Sequence, residues 1–385
     1  MNLFCSPLAL HYLCTMKNSN TSLFEYKSPN GPSEYHLIVE VVNPLLSYEQ
    51  QLSELLTAYN DALAQMPGAV SVFKRYFLSD AANQADLLMA NDTSGCAVSV
   101  VEQAPLNGTK IALWAYLLTD VQTRMPQGGL FEVVHGDYRH FWVGSAYNRA
   151  ATSEYQTRLL LNDYVMQLLE QGCTLAENCV RTWFFVQNVD VNYGGVVKAR
   201  KEVFLTQNLT ENTHYIASTG IGGRHADPKV LVQMDSYAIG GLQPGQVTYL
   251  YAPTHLNPTY EYGVTFERGS YVEYGDRRHV FISGTASINN RGEVVHAGDV
   301  RQQTLRMWEN VETLLAEAGC SYDDVAHMLV YLRDTADYAV VKQLYDERFP
   351  NKPKVFLLAP VCRPGWLVEM ECMAVKPTQS TYPAF

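Results

Sequence analysis

HVFISGTASI (279–288), DVRQQTLRMWENVETLLAEAG (299–319), AHMLVYLRD (326–334), TADYAVVKQLYDERF (335–349), KVFLLAP (354–360) and LVEMECMAV (367–375) follow one another in the last third of the chain. In the second of these, Leu305, Trp308, Val311, Leu314 and Leu315 recur at helical spacing, which predicts a helix with one buried face. The short apolar runs on either side are strand-like. An acidic turn at 320–324 follows the long helix, and Arg363-Pro364-Gly365 turns the chain between the last two strands. The order is β-α-β-α-β-β.

The middle of the chain repeats that order: RHFWVGSAYN (139–148), SEYQTRLLLNDYVMQLLEQG (153–172), VRTWFFVQNVD (180–190), YGGVVKARKEVFLTQ (193–207), HYIASTGIGGR (214–224) and KVLVQMDSYAI (229–239). Phe141, Gly144, Ser145 and Ala146 fall over Phe281, Gly284, Thr285 and Ala286, and Gly172-Cys173 over Gly319-Cys320. A fainter copy runs through EYHLIVEVV (34–42), SYEQQLSELLTAYNDALAQM (47–66), VSVFKRYFLSD (70–80), NQADLLMA (83–90) and CAVSVVEQAPLNGTKIALWAYLL (96–118). The chain is therefore predicted to be α+β, with three tandem units. These are a degenerate unit one (30–120), unit two (130–240) and unit three (265–377). An N-terminal extension (1–29), a Pro/Gly/Tyr-rich linker (241–264) and a tail (378–385) complete it. The linker either lies across the surface or walls a site.

Composition narrows the function. The 385 residues are 47% hydrophobic and carry a net charge of −11, so the chain can bury a core. No Lys/Arg-rich run interrupts the acidic balance, which argues against nucleic acid as a partner. No apolar run approaches the roughly 20 residues of a membrane helix. The eight cysteines form no CxxC pair and no zinc-ligand spacing, so reduced thiols in the cytoplasm and no metal are expected. The opening MNLFCSPLALHYLC lacks a positive start and a clear cleavage site, and Met16 begins a more ordinary soluble start. Sequons at Asn20, Asn91, Asn107 and Asn208 are read as chance.

FISGTASI, the helix after it, the Cys320–Val325 turn, VYLRD (330–334) and the pattern R-P-G-x-L-V-E-x-E-x-x-A-V (363–375) together resemble the RidA/YjgF (Rid) superfamily. Rid proteins are homotrimers of one such unit, with a site in each cleft between neighbours. Three units in one chain thus resemble a covalent pseudo-trimer around a barrel-like sheet core. That arrangement is similar to the chorismatases, which hydrolyse chorismate. Phe266-Glu267-Arg268, residues 284–288 and His296-x-Gly298-Asp299 also resemble the chorismatase pattern. A chain that closes its own interfaces is expected to be a monomer.

The resemblance implies the site. A Glu on the last strand of Rid proteins contacts the substrate or a catalytic water, and Glu369 stands there. Unit two has Gln233 at that place and unit one Ala112. Gln holds water but cannot cycle a proton, and Ala does neither, so one live site per chain is expected. Strand alternation puts Glu371 on the same face as Glu369; it is read as a structural carboxylate. The position of the deaminases' carboxylate-binding Arg is Lys354 here, a point charge in place of a fork, which argues against a plain deaminase. Some chorismatases that release 3-hydroxybenzoate carry a Cys where Cys362 stands, making it a second catalytic candidate. Arg363, Arg268, Arg149, Arg224 (with His225), Ser283, Gly284 and Thr285 are the remaining substrate-binding candidates.

The expected ligand is a small carboxylate, and no cofactor is required. Three functions stay open: a chorismatase-like hydrolase with Glu369 as general acid, a Rid-type imine/enamine deaminase, and a non-catalytic small-molecule binder. The acidic balance and the lack of a paired His constellation give a ribonuclease no support.

Overall fold

The computed structural model describes residues 18–28, 31–125 and 129–385. Cys5, Cys14 and Met16 lie outside the described residues. Unit one is built from β1 (Ser19–Tyr26), β2 (Glu34–Val41), α1 (Tyr48–Ala64), β3 (Val70–Leu78), α2 (Ala81–Asn91), β4 (Ala97–Glu102) and β5 (Ile111–Leu118). Unit two comprises β6 (Gln122–Arg124), β7 (Phe131–His135), β8 (Tyr138–Tyr147), α3 (Ser153–Glu170), α4 (Leu175–Asn178), β9 (Cys179–Val186), α5 (Val189–Thr206), β10 (Ala217–Gly222) and β11 (Val232–Gly240). Unit three comprises β12 (Val247–Leu250), β13 (Gly269–Glu273), β14 (Arg277–Ala286), α6 (Val300–Glu317), β15 (Val325–Leu332), α7 (Tyr338–Arg348), β16 (Lys354–Leu358) and β17 (Val368–Pro377).

The three sheets run β1-β2-β5-β3-β4, β10-β9-β11-β8-β7-β6 and β12-β13-β14-β17-β15-β16. One motif recurs: the last strand of each unit (β5, β11, β17) lies between the first and the middle strand, antiparallel to both. The middle strand pairs in parallel with the closing strand, and a helix makes that crossover. The helices begin where their caps dictate. Ser47 forms a capping box with Gln50 on α1, and Thr152 and Asp299 accept the Tyr155 and Gln302 amides on α3 and α6.

The predicted extension and linker each hold a strand among their described residues, for β1 pairs with β2 and β12 with β13. These strands are too short or too polar for their alternation to stand out. The expectation of a barrel-like core needs correction: among the described residues the sheets remain three ladders. The closing strands β4, β10 and β16 are only six, six and five residues long. They reach across as single bridges, Glu102 to Arg224, Pro105 to Leu357 and Ile221 to Val361.

Each closing strand is a sheet edge laid against the first strand of another unit: β4 on β8, β10 on β14, β16 on β2. The three sheets meet over a shared aromatic core, with Phe73 5.4 Å from Trp114 and 5.0 Å from Trp142 between ring centres. Clefts between units therefore pair one unit's closing strand with another unit's last strand. No helix of the described residues is long and apolar enough to cross a membrane.

Candidate functional site

The β10–β14 interface opens into a cleft lined by residues of units two and three. Unit two contributes Tyr193 and Arg200, seven residues apart on α5, with Ser218 and Gly220 on β10. The segment before β13 contributes Tyr262 and Val264, with Phe266 and Arg268 after them. Unit three supplies Gly284 and Ala286 on β14, Cys362, Arg363 and Trp366 in the closing turn, and Glu369 on β17.

Glu369 pairs with Ala286 on one side and Tyr331 on the other, and only 4% of it is exposed. Its carboxyl lies on Gly284, where a Cβ would overlap Oε1. Burial, and then the charge of Glu371, push its pKa up to about 8 against the pull of Arg181 and Arg268. The carboxyl thus holds its proton at neutral pH. Burial, with Glu369 beside it, pushes the Cys362 thiol up to about 12, so it is a thiol and not a thiolate.

Two of the residues lining this cleft carry a buried donor without a partner among the described residues, Arg200 at Nη2 and Trp366 at Nε1. Arg200 is 1% exposed; its Nε donates to Thr265 Oγ1 at 3.2 Å and its Nη1 to Ser218 Oγ at 3.5 Å. Arg268 donates to the Asn257 carbonyl and to Asn257 Oδ1 at 3.0–3.2 Å. Tyr262 has the Arg268 and Arg363 guanidiniums 5.3 and 5.0 Å from its ring. Two buried arginines, with a third at the mouth, suit an anionic ligand.

The other interfaces differ. At β4–β8, Gln233 Nε2 donates to Val100 O and Ser145 Oγ, both at 3.1 Å. Ser145 Oγ also accepts the Val100 amide at 2.8 Å, and the β4 backbone at Val98 lies where Gly144 would carry a Cβ. Backbone of unit one fills that place. At β16–β2, Ala112 pairs with Glu40, whose carboxyl burial pushes up to about 7 against the pull of Lys354 and Lys342.

The structure brings Glu369, Cys362, Arg363, Arg268 and Gly284 together. Ser283 and Thr285 lie behind the cleft. Ser283 Oγ accepts the Ser218 amide at 2.9 Å and donates to Glu267 O at 2.6 Å, while Thr285 Oγ1 donates to Ser283 O at 2.9 Å. Arg149 is a surface residue paired with Asp227. Arg224 pairs with Glu102 of unit one, 2.9 Å away. Lys354 donates to Phe349 O at 2.8 Å on the unit that abuts β2. Counting back from Glu369 within its own unit lands on the wrong interface, because each cleft takes its closing strand from a different unit. Sequence reasoning missed Arg200, Tyr193, Tyr262 and Trp366. Only the shared helical face of Tyr193 and Arg200 hinted at the first two. Among the described residues no three His, Cys, Asp or Glu side chains converge as a metal-ligand set.

Residues 266–376 match the endoribonuclease L-PSP family. A RutC family protein of Pyrococcus abyssi is 37% identical over 100 residues, spanning 25% of this chain and 78% of that protein. The 3-aminoacrylate deaminase RutC of Acinetobacter baylyi is 33% identical over 97 residues, 25% of this chain and 77% of that protein. The crystal structure of a chorismatase superposes with a TM-score of 0.63 at 18% identity, covering 79% of this chain and 93% of that one. The chain belongs to the RidA/YjgF (L-PSP) family, and its three-sheet fold is shared with the chorismatase.

Proposed function

We propose that the cleft between units two and three hydrolyses a chorismate-like enol ether bearing two carboxylates. The carrying observation is a buried carboxyl, Glu369, in one cleft with a buried guanidinium, Arg200, whose Nη2 has no hydrogen-bond partner among the described residues. Likeness of fold to a chorismatase supports the reading. Glu369 protonates the enol-ether methylene carbon, and the positive charge develops on the ether carbon. Water adds there, and the hemiketal collapses to pyruvate and a ring alcohol. Alternatively the neighbouring ring hydroxyl oxygen captures the charge; its bond to the ring then breaks as a ring proton is lost, the ring aromatises, and the resulting hemiketal collapses to pyruvate and 3-hydroxybenzoate, the course that Cys362 favours. Arg200, Arg268 and Arg363 hold the carboxylates and fix the methylene against the acid. A bound dianion also offsets the Arg268 charge that pulls the Glu369 pKa down, so the acid is better protonated with substrate present. On this reading the chain works in solution as a single-chain pseudo-trimer in the cytoplasm.

The test is pyruvate release from chorismate with the ring product identified. Glu369→Gln is expected to lower kcat by about 10²–10⁴-fold, the usual worth of a general acid. Wild-type protein that releases no pyruvate contradicts the reading. The kinship with a 3-aminoacrylate deaminase favours imine deamination as the second reading, and ammonia release from an imino acid in the same assay would select it.

A further inference from the structure

Behind Glu369 lies a network to which all three units contribute. Glu371 Oε2 accepts from Arg181 Nη2 of unit two at 2.7 Å and from the Thr219 hydroxyl, and Oε1 accepts from Trp183 Nε1 at 2.8 Å. Arg75 of unit one comes within 3.7 Å of Oε1 while its Nε and Nη2 hold Asp235. Thr219 Oγ1 also accepts from Arg181 Nη2 at 2.6 Å and from the Gly284 amide at 2.9 Å. Both acceptor positions of that hydroxyl are filled, so its one proton points at Glu371. With three donors and a second arginine around it, Glu371 acts as an acceptor only, which is the behaviour of a carboxylate. The same hydroxyl pins Gly284, the backbone on which the Glu369 carboxyl rests.

We propose that Glu371 is a positioning residue for Glu369: the network through Thr219 fixes a negative charge two residues along one strand face, and that charge keeps the proton on the Glu369 carboxyl. The proposal deepens the reading of Glu369 as the acid and rests on it for its catalytic meaning. The direction of the Glu369 shift agrees, since the Glu371 charge raises it after burial. The other groups facing Glu369 are Arg181 on β9, Tyr331 on β15, and Tyr193 and Arg200 on α5. Tyr262 and Arg268 lie before β13, and Cys362 and Arg363 in the closing turn. The cations among them oppose the effect, so without Glu371 nothing but burial would retain the proton.

The test is a carbon-13 titration of the Glu369 carboxyl in ligand-free protein, with the signal assigned by its loss in Glu369→Gln. Wild type is expected to titrate near 8. Glu371→Gln is expected to lower that midpoint by about one unit or more, as loss of a close like charge does. Thr219→Val lowers it in the same direction, Thr219→Ser restores it, and this pair serves if Glu371→Gln does not fold. A midpoint unchanged in Glu371→Gln or in Thr219→Val overturns the proposal even if the protein turns over chorismate. A protein that ignores chorismate yet shows the shifts contradicts the hydrolase reading alone.

Discussion

Glu369 and Glu371 lie on the same face of β17 and live in opposite surroundings. Glu371 is wrapped in three donors from unit two with the Arg75 charge of unit one beside it, whereas Glu369 faces an open cleft across a bare glycine. Gly284→Ala would place a Cβ against the tip of the Glu369 side chain and near Thr219 Cγ2. A flexible carboxyl can swing aside, so stability should hold. The reacting group is displaced, so chorismate turnover should fall about 10²-fold. Thermal melts beside a pyruvate assay check this, and a variant with wild-type kcat would contradict the placement of the acid. Glu369 and Gly284 were legible in the sequence because the repeat offers direct comparisons, Gln233 and Ala112 for the one and Gly144 for the other. Arg200 was not legible: a lone arginine among Lys198, Lys201 and Glu202 on α5 looks like a solvated face. Only folding turns it inward against Thr265 and Ser218.

At the scale of elements, periodicity and turn chemistry disclosed nearly all the helices and the four repeated strands of each unit. They did not disclose partners across units. Lys354 and Glu369 belong to one unit, but the short closing strand β16 faces β2 while β17 faces the cleft lined by β10. Backbone hydrogen bonding to Phe349 and burial, which lowers its pKa, suit Lys354 to a structural place. Lys354→Met is therefore expected to leave kcat/KM for chorismate within about threefold of wild type, since no Lys354 atom lines the cleft. A loss above tenfold in a folded variant would place Lys354 in the site after all. The barrel expectation failed for a related reason, as five- and six-residue closing strands supply bridges and not continuous ladders.

At the scale of the molecule, three sheets converge on buried polar groups whose charge states fix how stability depends on pH. Burial lowers the His36 pKa to about 3 and holds His327 well below its ordinary value; the two rings stack 4.9 Å apart between units one and three. A group whose folded pKa is depressed takes up its proton more readily in the unfolded chain. Its contribution is therefore complete above the unfolded value of about 6.5 and is lost as pH falls below it. Glu369 and Glu40, raised to about 8 and 7, work the opposite way over the same range, so the reading is made by difference: between pH 7 and pH 5 the denaturant midpoint of His36→Phe should fall less, or rise more, than that of wild type, and an identical pH dependence would contradict it. The same convergence leaves three unlike interfaces, one filled by backbone, one lacking the acid and one open. The central claim, that a single cleft takes a dianionic ligand, is most directly tested by calorimetric titration of the Glu369→Gln protein with chorismate. The account predicts one ligand per chain, with binding lost in Glu369→Gln combined with Arg200→Met. A stoichiometry approaching three, or binding indifferent to Arg200, would contradict it.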